Sequence, residues 1–188
     1  MSNAMRPTSG LFEKPRPVAT LGDLFANVWQ IAYVTRDLDH GMEMLAERFG
    51  IEHCTEVPTA GATVLKDGEP AEWDVRIAMG ARGGQIVELI EPVGGDVDYY
   101  RQALPADGSN GLGFHHLAMI APLGDAVWSS LGELLAAQGL RFDYTILIPD
   151  RVRAGYVDTT AELGHYIEVC QLQEADIEFF SGLVEQSA

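Results

Sequence analysis

The sequence predicts an α+β fold made of two tandem βαβββ modules. Three observations carry this expectation. The order strand, helix, strand, strand, strand occurs twice along the 188 residues. The last strand of each repeat has the same local pattern, "GQIVEL" at residues 84–89 and "GHYIEV" at residues 164–169. The first strands also match, with "QIAYV" at residues 30–34 against "HLAMI" at residues 116–120. Two supersecondary units repeating in one order read as an internal duplication.

The elements follow in chain order. The opening "MSNAM" resembles an expression-tag scar, and residues 1–20 as a whole, rich in Pro and polar residues, read as a loose leader outside the fold. The first module is expected over residues 21–92. Its first strand is "VWQIAYV", residues 28–34. Asp37 then caps a helix whose apolar residues Leu38, Met42, Leu45 and Phe49 form one stripe, and Gly50 stops it. "IEHCTEV", "DVRIAMG" and "GGQIVELIEP" supply three strands. Residues 93–113 are dominated by Gly, Asp and Pro and read as a linker, with a short helical patch near residues 99–103. The second module is expected over residues 114–172. It comprises "FHHLAMIA", a helix over residues 123–138 closed by Gly139, "LRFDYTILIP" as one strand or a bent pair, "AGYVDT" and "GHYIEVCQL". Residues 173–188 place Ile177, Phe180 and Val184 at helical spacing and predict a terminal helix.

Composition bounds the function. Hydrophobic residues make up 47% and charged residues 21% of the chain, as expected for a globular protein with a core. The formal net charge is −16, which argues against nucleic acid and against anionic membrane surfaces. No apolar run is as long as a membrane span. The two cysteines, Cys54 and Cys170, have no metal-type spacing and are compatible with a reducing cytoplasm, the expected location.

Four polar residues sit where apolar ones are expected. Glu88 and Glu168 are each flanked by apolar residues in a strand, and Gln30 and His116 occupy equivalent first strands. A single strand glutamate can face solvent at a sheet edge, and a single histidine can be structural. An unpaired charge in such a strand, however, costs several kcal/mol or neutralises itself. Four such residues at matched positions of two repeats suggest one shared partner, and a divalent metal uses carboxylate, imidazole and amide oxygen together. Side chains alternate along a strand, so His115 and His116 are expected on opposite faces. The match to "QIAYV" selects His116. His40, His53 and His165 have no matched partners and read as surface or structural.

On the stretches "WQIAYVTRDLDHGMEML", "IVELIEP", "GLGFHHLAMIA" and "GHYIEVCQL", the chain resembles the vicinal oxygen chelate superfamily over about residues 28–172. This superfamily includes glyoxalase I, methylmalonyl-CoA epimerase, bleomycin-resistance proteins and extradiol dioxygenases, and the glyoxalase–epimerase branch is the nearest in pattern. The resemblance implies a cupped mixed sheet around one divalent ion (Zn, Ni, Co, Mn or Fe) held by Gln30, Glu88, His116 and Glu168. Gln30 departs from the histidine usual at that position in epimerases. The chemistry such a set supports is proton abstraction α to a carbonyl on a small-molecule substrate, an isomerase or lyase reaction, with Glu168 as principal base and Glu88 as its counterpart. The resemblance further implies a homodimer. An iron ring-cleavage dioxygenase and a non-catalytic, bleomycin-resistance-like binding protein are the alternatives. Trp29, Tyr33, Trp73, Phe114, Phe142, Tyr144 and Tyr156 could line the cup, and Arg141, Arg151 or Arg153 could pair with a substrate anion.

Overall fold

A computed structural model describes residues 14–187. The expected tag scar and most of the leader lie outside the described residues. A short helix α1 (Leu21–Leu24) and a 3₁₀ turn (Phe25–Asn27) lead into β1 (Val28–Val34). The first half continues with α2 (Leu38–Phe49), β2 (Thr55–Val57), β3 (Thr63–Lys66), β4 (Glu69–Pro70), β5 (Trp73–Arg82) and β6 (Gln85–Gly95). After α3 (Asp98–Arg101), the second half runs β7 (Gly113–Ile120), α4 (Asp125–Ala136), β8 (Tyr144–Ile148), β9 (Val152–Val157), α5 (Thr160–Leu163), β10 (Tyr166–Leu172) and α6 (Glu174–Gln186). The class is α+β, with one mixed ten-stranded sheet in the order β2-β5-β6-β1-β7-β10-β9-β8-β3-β4.

The helix ends follow from local chemistry. Asp37 accepts the amide of His40 at 3.0 Å, capping α2, and Gly50 at φ +67° ends it in the left-handed region where glycine costs nothing. Phe49, expected on the core stripe, is the last residue of the helix and is 62% exposed.

Both faces of the central strands are covered, which explains their nearly continuous apolar runs. On the convex face, Val87 and Leu89 of β6 pack with Leu38 and Leu45 under α2. Ile167 and Val169 of β10 pack with Leu131 near α4 in the same way. The alternate residues, including Glu88 and Glu168, face the concave side. There the largest core cluster joins both halves of the sheet to Tyr99 and Tyr100 of α3 and to Phe180, Leu183 and Val184 of α6. Helix α6 leaves β10 and packs against β5 and β6 of the other half, so it lies across the cup.

The structure differs from the sequence expectations in three places. A hairpin, β3–β4, falls between the expected strands of the first half and pairs with β8 of the second half through Thr63↔Leu147 to Lys66↔Tyr144. A segment within residues 21–92 therefore completes the other half's edge, a pairing no local pattern encodes. The segment expected as linker is strand at both ends, since β6 runs to Gly95 and β7 starts at Gly113. Of "LRFDYTILIP", only Tyr144–Ile148 is strand.

Candidate metal centre

Four adjacent strands position the four residues singled out by the sequence. In the order β6-β1-β7-β10, one row across the sheet reads Glu88, Ala32, His116, Tyr166, and the next reads Ile86, Gln30, Ala118, Glu168. Ala32 and Ala118 are fully buried. Their small side chains form the floor on which the four longer ones converge.

The convergence is close. Gln30 Nε2 donates to Glu88 Oε2 at 2.7 Å. His116 Nε2 lies 3.4 Å from Glu88 Oε2 and 3.1 Å from Glu168 Oε2. Potential ligand atoms of Glu88, His116 and Glu168 all lie within 4.8 Å of one another, a spacing suited to a single ion. All four residues are buried. Burial is the main reason the Glu88 carboxyl is held well above its ordinary range; the Glu168 charge adds to this, and the hydrogen bond from Gln30 opposes it.

The residue that sequence reasoning missed is His115. The β1–β7 register slips between Ala32↔His116 and Tyr33↔Phe114, so His115 is the extra residue of a β-bulge. The expectation that His115 and His116 face opposite ways therefore does not hold. Their Nδ1 atoms are 2.8 Å apart, and both rings are buried. A second bulge, at Trp29, turns it inward beside Gln30. A doublet of buried residues at 29–30 and again at 115–116 records this duplicated irregularity.

The bulge fixes the state of His116. His115 Nε2 lies 3.0 Å from the Tyr99 carbonyl, which can only accept, so Nε2 carries the proton. Burial, followed by the neighbouring His116, lowers the His115 pKa well below the ordinary value, so the ring is neutral. Its Nδ1 then accepts a hydrogen bond from His116 Nδ1–H. His116 Nε2 then faces the two carboxylates of Glu88 and Glu168. The separations would suit an ion pair with a protonated ring, yet Nε2 is buried without a hydrogen-bond partner. A buried cluster of two carboxyl groups and an imidazole nitrogen fits a cation, and a ring N–H donating outward is the usual way a metal-binding histidine is oriented. Gln30 can join through its amide oxygen once the amide turns, since the two ends differ only in orientation.

The cluster opens onto a narrow cavity with about 80 Å³ of space open to water-sized molecules. Of the aromatic residues considered from sequence, Trp29, Trp73 and Tyr156 line it. Tyr33 instead packs with Phe114, Phe142 stacks on Trp128, and Tyr144 stacks on Tyr99. Of the three arginines, only Arg151 lines the cavity. Arg141 pairs with Asp67 and Asp143, and Arg153 with Asp125.

The chain has the vicinal oxygen chelate, or glyoxalase-like, fold. The solved structures that it resembles include methylmalonyl-CoA epimerases. The Streptomyces coelicolor enzyme (E43L), in complex with 2-nitronate-propionyl-CoA, is 20% identical at a TM-score of 0.56, covering 79% of this chain and 95% of that one. The Mycobacterium tuberculosis epimerase is 16% identical at a TM-score of 0.52, covering 87% and 97%. A methylmalonyl-CoA epimerase in complex with methylmalonyl-CoA and NH4+ is 19% identical at a TM-score of 0.53, covering 79% and 95%. No protein-family model and no curated protein matches the sequence. Among the described residues, no helix is long and apolar enough to cross a membrane.

Proposed function

We propose that this chain is a divalent-metal enzyme that moves a proton on the carbon α to a carbonyl, an epimerase-like isomerase or a lyase. The observation that carries the reading is the buried meeting of Glu88, His116 and Glu168, where His116 Nε2 has no hydrogen-bond partner. The fold shared with methylmalonyl-CoA epimerases supports it.

Glu88, His116 and Glu168 would hold the ion, with Gln30 as the fourth donor. The ion, when bound, supplies Lewis acidity to a substrate carbonyl and its enolate oxygen. Glu168 stands on the cavity wall and takes the α-proton, and Glu88, across the cluster, is the counterpart that returns or relays it. The apolar walls exclude water from the carbanionic carbon. The reading includes a cytoplasmic location and a homodimer, and light scattering on the purified chain tests the dimer.

A ring-cleaving iron centre uses two histidines and one carboxylate. Here the second histidine, His115, has both ring nitrogens engaged, one with His116 and one with the Tyr99 carbonyl, which weighs against that alternative. A non-catalytic binder would have no need of a proton-moving carboxylate. Glu168→Gln separates the cases. With a methylmalonyl thioester or a small 2-oxo acid in D₂O, the wild-type protein incorporates deuterium at the α-carbon. The variant is expected to lose at least ~100-fold of that rate, in line with the contribution of general acid–base catalysis. Exchange unaffected by the substitution removes Glu168 from the role, and no wild-type exchange with any such acid favours sequestration.

A further inference from the structure

The far end of the cavity has a second polar element that the proton-transfer reading does not use. Along β9, Val152, Ala154 and Tyr156 line the cavity, and along β10, Glu168, Cys170 and Leu172 do so. The register runs from Glu168↔Tyr156 to Leu172↔Val152. Four residues of strand separate these pairs by roughly 13 Å. Arg151 lies one residue further and also lines the cavity. The cavity is thus a slot along the strands, with the carboxylate–imidazole cluster toward one end, apolar walls between, and a guanidinium at the other.

Arg151 is built into position. Its Nε donates to Asp176 Oδ1 at 2.8 Å, and Nη2 donates to the same oxygen. Its carbonyl accepts the Gln173 amide at 2.7 Å, tying the β8–β9 turn to the start of α6. Asp176 is 2% exposed and lines the same cavity, and its Oδ2 is buried without a hydrogen-bond partner. This side-on use of one oxygen leaves Nη1 with no protein partner among the described residues. The Arg151 side chain keeps 31% exposure while lining the cavity. Arg151 is also the one cation among the residues lining the cavity, on a chain with a net charge of −16. An anion at the slot would meet the Nη1 edge of this residue, whose charge Asp176 partly offsets.

We propose that Arg151, oriented by Asp176, binds a carboxylate at the outer end of the slot, and that the substrate is an elongated acid, carbonyl at one end and carboxylate at the other, with an apolar stretch between. The carbonyl half of this statement rests on the proton-transfer reading, whereas the carboxylate half rests on Arg151 and Asp176 alone. The planar fork matches a carboxylate in a way a lysine cannot. Asp176 Oδ2 adds an acceptor for one O–H or N–H brought by the ligand or by water.

The test compares ligands that differ only at the distal end. Isothermal titration of the full chain as purified uses 2-oxooctanedioate, its distal methyl ester, and 2-oxooctanoate. The diacid is expected to bind at least ~10-fold more tightly than either, the scale of one charge-assisted pair of hydrogen bonds. Arg151→Met should bring the diacid down to the affinity of 2-oxooctanoate while leaving 2-oxooctanoate itself unchanged. Equal binding of diacid and ester by the wild-type protein overturns the proposal, as does an Arg151→Met effect of the same size on all three. The wild-type ligand comparison stands even if the variant does not fold. All three probes share the 2-oxo acid head, so failure of the metal-site reading lowers them together and leaves the distal preference intact. Failure of the Arg151 assignment removes the preference and leaves deuterium exchange intact.

Discussion

At the scale of the residue, the centre depends on which nitrogen of His116 carries a proton. His115 sets this by accepting from His116 Nδ1 while its own Nε2–H is spent on the Tyr99 carbonyl. His115→Phe keeps the bulk that stacks on Tyr166 but removes the acceptor. His116 is then free to rotate or change tautomer, and metal affinity is expected to fall ~10–100-fold, the usual cost of losing such an outer partner. Competition titration with a chromophoric chelator measures this directly; affinity within twofold of wild type would show that the pair does not orient His116. The positions of Gln30, Glu88, His116 and Glu168 were readable in the sequence because each breaks an apolar run at a matched place in two repeats. The role of His115 was not. Strict alternation sends it to the opposite face, and only a bulge, whose cause is the pairing of β7 with β1, brings it back.

At the scale of the element, α3 is the piece that delivers the Tyr99 carbonyl, and its place depends on a glycine. A Cβ added at Gly113, where β7 begins, would lie 1.7 Å from the Ala103 carbonyl oxygen, just after α3. Neither backbone segment can yield locally. Gly113→Ala is therefore expected to cost about 1–3 kcal/mol, as overpacking does, and to lower Tm by ~2–4 °C for each of these. Gly132→Ala is the control, since nothing lies within 4 Å of a Cβ there and the residue is inside α4. It should raise stability by up to ~1 kcal/mol through helix propensity. Thermal melts of the two variants should move in opposite directions; equal shifts would show that α3 adjusts freely. Sequence located this helical patch within the segment expected as linker, but gave no reason to connect it to the site. Its contribution is a backbone carbonyl, and any residue can supply that.

At the scale of the whole molecule, periodicity gave the repeated order of strands because both faces of the sheet are buried, one under helices and one in the cup. It could not give the β3–β4 hairpin on β8, nor α6 across the cup, since both are pairings between residues distant in sequence. Enclosing the centre in this way has a thermodynamic consequence that depends on pH. Burial, and then the Glu168 charge, holds the Glu88 pKa above its ordinary 4.5. Burial also raises Asp176, with Arg151 opposing. A carboxyl with a raised folded pKa favours the fold below its unfolded value, and that advantage is lost as pH climbs through the folded one. His115 acts in the other direction. Its folded pKa is depressed, so its contribution is complete above 6.5 and is lost as pH falls below that value. As pH climbs from 4.5, the Tm of chelator-treated wild-type protein should therefore fall relative to that of Glu88→Gln, which lacks the titrating carboxyl. A divalent ion competes with the proton for Glu88 and binds better as the carboxyl ionises, adding stability through ligand binding to the folded state. With excess Mn(II) this trend should therefore reverse, and the wild-type Tm should rise relative to that of Glu88→Gln over the same interval. Calorimetric scans with and without the ion decide this. Parallel slopes in the two conditions would mean that Glu88 does not meet a metal in the cup.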